Sequence, residues 1–153
     1  MRFLAIISLF VFLLLPGCKM QEVDSVRASF NLTNSITIIN NNEKFVYNRE
    51  SEKFQHLLEK LNLITENSHD MPAFGVSLDN LTREELKSGL WLELEFETVL
   101  EFNEMPFDAL LIKVEKDNSG FNLIRRYKGK YEGRCFYLSL ENTMNDLYEE
   151  MVL

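Results

Sequence analysis

Chemistry-bearing residues are scarce in this chain of 153 residues, which has only two cysteines, two histidines and one tryptophan. So few cysteines exclude the multiple-disulfide scaffold on which many small secreted domains depend. No cysteine or histidine pair shows zinc spacing, and neither a glycine-rich phosphate loop nor a nucleophile elbow occurs. The sequence therefore predicts no metal, no cofactor and no catalytic group that belongs to a known motif.

Basic residues are also in the minority, because 16 lysines and arginines face 24 aspartates and glutamates, which leaves a formal net charge of −8. A surface of this sign disfavours non-specific nucleic-acid binding and broad adhesion to an anionic membrane leaflet. Proline and glycine are few as well, at three and six residues, and no repeat or low-complexity tract interrupts the chain. With 46% hydrophobic residues, the chain has ample material for the core of one folded domain.

A long apolar run stands near the start of the chain. Arg2 precedes the run, Phe3 to Leu15 form it, and Pro16 and Gly17 end it. A positive residue, an apolar segment of this length and a small residue after it are typical of a secretory signal peptide. As a helix the run reaches about 20 Å, which is short of the roughly 30 Å of hydrocarbon that a transmembrane helix must cross.

The residues that end this segment, Leu15-Pro16-Gly17-Cys18, resemble the lipobox of bacterial lipoproteins. Leu15, Gly17 and Cys18 match that motif, whereas Pro16 stands where the family usually has a small residue. The resemblance implies a peptidase cut before Cys18, a diacylglyceryl group on its sulfur, and attachment to the outer side of a membrane in the bacterial envelope. It divides the chain into a signal peptide (1–17), a lipidated tether (18–25) and a single domain (26–153).

Alternating patterns in the second half of the chain predict an antiparallel β meander of about four strands. Leu90, Leu92 and Leu94 alternate with Trp91 and glutamates, which is the period of a half-buried strand. Turn signals at 103–107, 117–120 and 128–133 separate this strand from three more. The asparagines at 40–42 predict another turn, which joins strands over 26–39 and 44–47 into an N-terminal hairpin.

Helical periodicity predicts one main amphipathic helix over residues 50–62, because Phe54, Leu57, Leu58 and Leu61 fall on one stripe. Shorter helices are predicted over 83–88, where a capping-box pattern precedes the helix, and over 142–151. The predicted fold class is therefore α+β. One face of the antiparallel sheet packs against the main helix, and the other face is more polar.

Three glutamates on one strand face, Glu93, Glu95 and Glu97, are a candidate site for a hard cation such as calcium. The alternative is a solvated face whose carboxylates pair with Lys113 or with basic residues of a neighbouring strand. Calcium sites usually draw oxygens from a tight loop, and none is evident here. The sequence therefore favours the solvated face.

Cys135 is a candidate nucleophile, with His56 or His69 as its base. No cysteine-hydrolase signature surrounds it, and nothing in the sequence brings either histidine near it. The favoured alternative is a structural thiol. His56 also lies at helical spacing from Glu52 and Glu59, which suits a metal-binding face but is more often a charged solvent-exposed face.

A basic and aromatic cluster interrupts the acidic background on the predicted third and fourth strands and their turn. Arginine and tyrosine are enriched at binding hot spots, so this cluster is the best candidate binding surface. The alternative is internal charge balance against the acidic segment Glu93–Glu104. A binding surface is expected to tolerate serine at Arg125, Arg126 and Lys128 without loss of stability. Its residues are Arg125, Arg126, Tyr127, Lys128, Lys130, Tyr131 and Arg134.

The leading functional hypothesis is a non-enzymatic lipoprotein that binds a protein or an anionic polymer at the cell surface. One alternative is a small hydrolase-like enzyme that uses Cys135 or a carboxylate pair. The other is a structural accessory subunit of an envelope complex, which pairs with another chain through a sheet edge.

Overall fold

The computed structural model describes residues 20–71 and 75–153, so the predicted signal peptide and Cys18 lie outside the described residues. No helix in those two ranges is both long and apolar enough to span a membrane. In chain order, the elements are β1 (Gln21–Glu22), α1 (Val26–Phe30), β2 (Thr33–Asn40), β3 (Glu43–Asn48), α2 (Glu52–Ile64), β4 (His69–Met71), β5 (Val76–Ser77), α3 (Asp79–Glu85), β6 (Leu90–Phe102), β7 (Met105–Lys113), β8 (Gly120–Tyr127), β9 (Lys130–Tyr131), β10 (Gly133–Arg134), β11 (Phe136–Ser139) and α4 (Asn145–Val152).

Within the described part of the chain, nine strands form one sheet in the order β3-β2-β6-β7-β8-β11-β4. Two short strands lie beside this path, β1 against β6 and β9 against β8. All pairings are antiparallel except that of β1, which runs parallel to β6. The structure is thus α+β with a large antiparallel sheet, as predicted. A separate two-stranded ribbon joins β5 to β10.

Three hairpins close through two-residue turns in the left-handed region. The φ angles are 46° and 73° at Asn41 and Asn42, and 51° and 61° at residues 103–104. Between β8 and β9 they are 51° and 77°, at Lys128 and Gly129. Positive φ at both turn positions matches the right-handed twist of the flanking strands, and asparagine and glycine tolerate it best. Each turn lies where the sequence predicted one.

Three helices cover one face of the sheet, which we call the helix-covered face. Val26 and Phe30 of α1, Leu57 and Leu61 of α2, and Leu147 of α4 all belong to its core. The main predicted helix corresponds to α2, whose N-cap hydroxyl at Ser51 accepts a hydrogen bond from the amide of Phe54 at 3.2 Å. A single main covering helix was therefore too simple a prediction, because α1 and α4 extend the same apolar layer.

Helix α1 stands where the sequence predicted a continuous strand. The hydroxyl of Ser25 accepts a hydrogen bond from the amide of Ala28 at 3.0 Å and caps the helix. Strand β2 begins only at Thr33. The β-branched residues of this segment indicated a strand, but the local cap and the burial of Phe30 favour one helical turn first.

The folded part of the chain also begins before the predicted boundary at residue 26. Gln21 and Glu22 pair with Leu100 and Glu101 of β6. The amide of Val23 donates to the carbonyl of Glu101 at 2.9 Å, and its side chain is buried. Residues 21–23 of the predicted tether thus lie against the sheet.

Helix α3 and strand β9 cover the centre of the second sheet face, which we call the opposite face. Leu86 and Tyr131 pack there with Trp91, Ile39 and Leu111. The first part of β6, residues 90–94, is consequently buried on both sides, whereas its alternating sequence predicted one solvated side. Charged side chains on this buried face need partners within the fold, and the candidate site is formed by such groups.

Helix α3 does not begin at the predicted capping box. It starts at Asp79, so Thr82 lies inside the helix, where its buried hydroxyl hydrogen-bonds that of Ser77. The buried contact with Ser77 draws Thr82 inward and leaves it unavailable as a cap.

Candidate functional site

Arg126 is the centre of a charged cluster on the opposite face. Its Nη1 donates to Oε1 of Glu93 at 2.6 Å and to Oε1 of Glu95 at 2.9 Å. Its Nε donates to Oδ1 of Asp108 at 2.9 Å. Three carboxylates from two strands therefore share one guanidinium. Bonds of this charge-assisted kind are shorter and stronger than neutral ones.

The guanidinium reaches β6 by crossing the whole width of β7. In the sheet register, Ala109 lies directly between Glu95 of β6 and Arg126 of β8. Alanine carries only a methyl group, so the arginine side chain has room to pass over it. A larger residue at this position would occupy the space that the guanidinium uses.

Tyr131 closes the cluster from β9. Its hydroxyl donates to Oε1 of Glu93 at 2.9 Å, and its ring is buried. Its backbone amide donates to Oδ1 of Asp79 at 2.9 Å, so the start of α3 is attached to the same strand. The guanidinium of Arg83 lies 5.4 Å from the tyrosine ring centroid and bonds the carbonyl of Gly129. Tyr131 and the turn at Gly129 are thus held by α3.

Burial controls the protonation of this cluster. It raises the pKa of Glu93, and the charge of Arg126 and the Tyr131 hydroxyl only partly oppose that rise. Burial and the negative charge of Glu93 also raise the pKa of Tyr131. For Arg126, burial works against the charge, but the bond to Asp108 and the charge of Glu93 outweigh it and raise the pKa. Arg126 is therefore a permanent cation, and Glu93 is the group whose charge is most costly.

A pocket of about 400 Å³ opens over these groups. We call it the Arg126 pocket. Cationic side chains from β3 and α3, Lys44 and Arg83, line it together with the shared carboxylates of the floor. Its lining residues are Thr37, Lys44, Val46, Arg83, Glu93, Glu95, Asp108, Arg126, Gly129 and Tyr131. The pocket offers polar groups of both signs.

The predicted glutamate row is divided by the fold. Glu93 and Glu95 both contact Arg126, whereas Glu97 is exposed and joins no ion pair among the described residues. Lys113, the predicted partner of the row, pairs instead with Glu115 at 3.1 Å. No group of three or more histidine, cysteine, aspartate or glutamate residues in the described ranges is arranged to hold a metal ion. Glu93 and Glu95 of the row bind the guanidinium of Arg126.

The predicted basic surface is divided as well. Arg126 and Tyr131 are held in the cluster, while Arg125 points to the other side of β8. Its Nε donates to the carbonyl of Arg134, and its Nη1 donates to the carbonyl of Pro106, each at 2.8 Å. Arg125 and Arg126 are thus both engaged within the fold.

The exposed remainder of that surface is the turn between β8 and β9 together with one arginine on β10. Lys128, Lys130 and Arg134 are exposed, and none of them joins an ion pair in the described structure. The Nζ of Lys128 lies 5.0 Å from the ring centroid of Tyr127. We call Lys128, Lys130 and Arg134 the basic tip.

Cys135 is a buried thiol, with 5% of its surface exposed. Burial raises its pKa, and the neighbouring charge of Arg125 only partly opposes this. His56 lies 3.8 Å from Glu150 on α4, and His69 pairs in register with Ser139. No hydrogen bond or ion pair among the described residues joins either histidine to Cys135. Neither histidine is therefore bonded to the Cys135 thiol as a base would be.

Sequence reasoning missed Asp108, Ala109 and Arg83. Asp108 and Ala109 interrupt an otherwise large and apolar strand, and that interruption is the signal that could have been used. Arg83 lay in a helix that was predicted to begin at that residue. Its contact with Gly129 joins positions 46 residues apart and has no local signal.

Comparisons with known proteins give no match. No protein-family model matches the chain, and no curated protein and no solved structure is similar to it.

Replacing Arg126 by serine is expected to destabilise the protein, in contrast to the tolerance expected from the sequence. The change leaves Glu93 buried without its cation, at a cost of about 3 kcal/mol in the free energy of unfolding. Urea unfolding of the two proteins measures the difference. Lys130→Ser is the matched control, and its exposed side chain should change the stability by no more than about 0.5 kcal/mol. Equal stabilities of the two variants would contradict the assigned role of Arg126.

Glu93→Gln is expected to differ from the wild type in a pH-dependent way. The pKa of Glu93 in the folded state lies above its ordinary value of 4.5, so its contribution to stability is complete below that pH. The contribution is lost as the pH rises through the raised pKa. The stability of the wild type minus that of the variant should therefore fall as the pH rises above 4.5 and through the raised pKa of Glu93. Denaturant unfolding at each pH measures it. Glu97→Gln is the control for the loss of one exposed carboxylate from the same strand. A difference that grows with pH for Glu93→Gln would contradict the burial of its charge.

Proposed function

We propose that the chain is a lipid-anchored extracytoplasmic protein that acts as a non-enzymatic binding module at the cell surface. The anchor is supported by the apolar run Phe3–Leu15 and by the Leu15-Pro16-Gly17-Cys18 segment that follows it. Two acyl chains on one residue give stable membrane attachment, whereas a single chain binds only marginally. The membrane is thus the first partner in this proposal.

The short connection between Cys18 and the fold sets where such a domain works. Gln21 already belongs to β1, and three extended residues span at most about 11 Å. A ligand of the domain is consequently met close to the membrane surface. A ligand that is itself part of the envelope satisfies this condition.

The binding part of the proposal rests on one observation, which is that the cations of the basic tip have no ion-pair partner in the described part of the chain. Lys53, Lys87, Lys113 and Lys116 each lie in an ion pair. The tip residues carry no such partner in the described part of the chain, and their charges remain available for an acidic ligand. At physiological salt the screening length is about 8 Å, so the tip acts locally although the protein as a whole is negative.

The basic tip also stands beside a polar cavity. Gly129, at the apex of the β8–β9 turn, lines the Arg126 pocket together with Lys44 and Arg83. An anionic chain that contacts the tip can therefore extend toward further cationic groups. Arg83 fixes the turn by bonding the carbonyl of Gly129 at 2.8 Å. A turn held in this way presents its lysines at low cost in entropy.

The enzymatic alternative has weaker support. Cys135 is buried with a raised pKa, which is the condition of an inert thiol. The carboxylates that a hydrolase would need are bound to Arg126. A binding role uses the exposed charges without requiring a reactive group.

Replacing Cys18 by serine is expected to release the protein from the membrane, because serine lacks the sulfur that carries the lipid. Fractionation of cells should find the wild type in the membrane and the variant outside it or as an uncut precursor. Intact-mass measurement of the wild type should show loss of residues 1–17 and the added mass of the lipid. Cys135→Ser is the control and should stay membrane-bound. An intact Met1 or an unmodified Cys18 sulfur would refute the anchor.

Replacing Lys128 and Lys130 together by serine is expected to weaken binding to polyglutamate, used as a probe for an acidic polymer. Each lost exposed charge contact is worth up to about 1 kcal/mol, so the pair should lower the affinity about tenfold. Fluorescence anisotropy with labelled polymer measures this, and the effect should shrink at high salt. The double variant at Lys87 and Lys116 removes the same charge elsewhere and should bind as the wild type does. Equal losses in both double variants would show that only net charge matters.

A further inference from the structure

Strand β3 is an open edge of the large sheet. It is the terminal strand of the order β3-β2-β6-β7-β8-β11-β4, and in the described structure no strand lies on its outer side. Its register with β2 is regular over six residue pairs, without proline or bulge. Phe45 and Val46 are 46% and 66% exposed. Most proteins protect such an edge by prolines, bulges or a covering segment. The edge at the other end of the sheet, β4, has only three residues.

The hairpin geometry determines which backbone groups of β3 point outward. Asn40 and Glu43 flank the two-residue turn, so they exchange both of their hydrogen bonds across the hairpin. The direction alternates along an antiparallel strand, and the N–H and C=O groups of Lys44, Val46 and Asn48 consequently point outward. The carbonyl of Asn48 is occupied by the amide of Ser51 at 3.1 Å. The remaining outward groups form a row that a further strand can pair with.

We infer that β3 pairs with β3 of a second copy of this chain, antiparallel and about a two-fold axis at Val46. In this register Val46 faces the partner copy's Val46, and the two exchange a pair of backbone hydrogen bonds. The outward amide of Asn48 donates to the carbonyl of Lys44 on the other copy, in both directions. The contact joins the two sheets into one.

Side chains support this register over its neighbour. Phe45 lies on the same face as Tyr47, because both alternate with Val46 along the strand. With Val46 on the axis, Phe45 of each copy faces Tyr47 of the other, and apolar groups meet on both faces. Aromatic cross-strand pairs of this kind stabilise a sheet. A register centred on Phe45 would place Lys44 against Val46, which leaves an apolar side chain beside a charge.

Charge complementarity identifies a second copy as the occupant. The two-fold at Val46 places Glu43 opposite Arg49 of the other copy. Glu43 has no ion-pair partner among the described residues, and Arg49 uses only its Nε, which donates to the carbonyl of Thr33. The two Nη groups of Arg49 are therefore available. The contact is isologous, so each such pair forms twice. The local charges balance there, although each whole chain carries −8.

Disulfide trapping of the full-length chain in membranes tests the inference. Residues on the axis of a hydrogen-bonded pair have Cα atoms about 5.5 Å apart, which suits a disulfide. Val46→Cys, oxidised and run on a non-reducing gel, should yield at least about fivefold more linked dimer than Val76→Cys. Val76 is the matched control, since it is 68% exposed and lies on the separate β5–β10 ribbon. Equal linking of the two variants, or linking through Phe45→Cys in place of Val46→Cys, would overturn the proposed pairing. The untreated wild type corrects for the native thiols.

A second measurement does not depend on oxidation. Val46→Lys places two like charges opposite each other at the axis and should raise the dimer dissociation constant about tenfold or more. Light scattering of the purified full-length chain in detergent measures the mass against concentration. Val76→Lys should dimerise as the wild type does. At concentrations low enough for the chains to be monomeric, both variants should retain the wild-type thermal midpoint because both positions are exposed. A wild type that stays monomeric at every concentration, or that purifies with a different chain on β3, would refute the second copy as the partner.

Discussion

The guanidinium of Arg126 crosses an entire strand to reach Glu93 and Glu95, and it can do so because the residue between Arg126 and Glu95 is Ala109. This contact is required because α3 and β9 bury the opposite face, where a carboxylate without a cation would be costly. The remaining groups follow from it. Tyr131 donates to the same oxygen of Glu93, so the strand that covers the cluster is also bonded to it.

The local features of this fold could be read from the sequence, whereas the features that depend on register could not. The helix over Phe54–Leu61 and the turns at Asn41 and Lys128 are encoded by residues within a few positions of one another. The cluster at Arg126 arises from strands that are distant in sequence, and one residue of slippage would turn its members to the other face. The alternating sequence correctly predicted that Glu93 and Glu95 lie on one face of the sheet. That this face is buried follows from the packing of α3, which the alternation does not encode.

The same difference between local features and features that depend on strand register applies to the predicted basic surface. Its residues are neighbours in sequence, yet alternation along β8 sends Arg125 and Arg126 to different faces, where each meets partners from other strands. Lys128 at the turn, Lys130 beside it on β9 and Arg134 on β10 remain exposed. The proposed ligand surface is therefore smaller than the sequence indicated.

The single tryptophan of the chain lies in the small core of the opposite face, beside Tyr131 and Leu86. Its indole Nε1 donates to the carbonyl of Ser88 at 2.9 Å, and 1% of the residue is exposed. The core of the helix-covered face contains no indole, so tryptophan emission originates on one side of the sheet only. Loosening of α3 would shift the emission to the red while the far-ultraviolet dichroism of α2 and α4 stays constant. The protein thus carries a built-in optical reporter that distinguishes melting of one layer from melting of the whole.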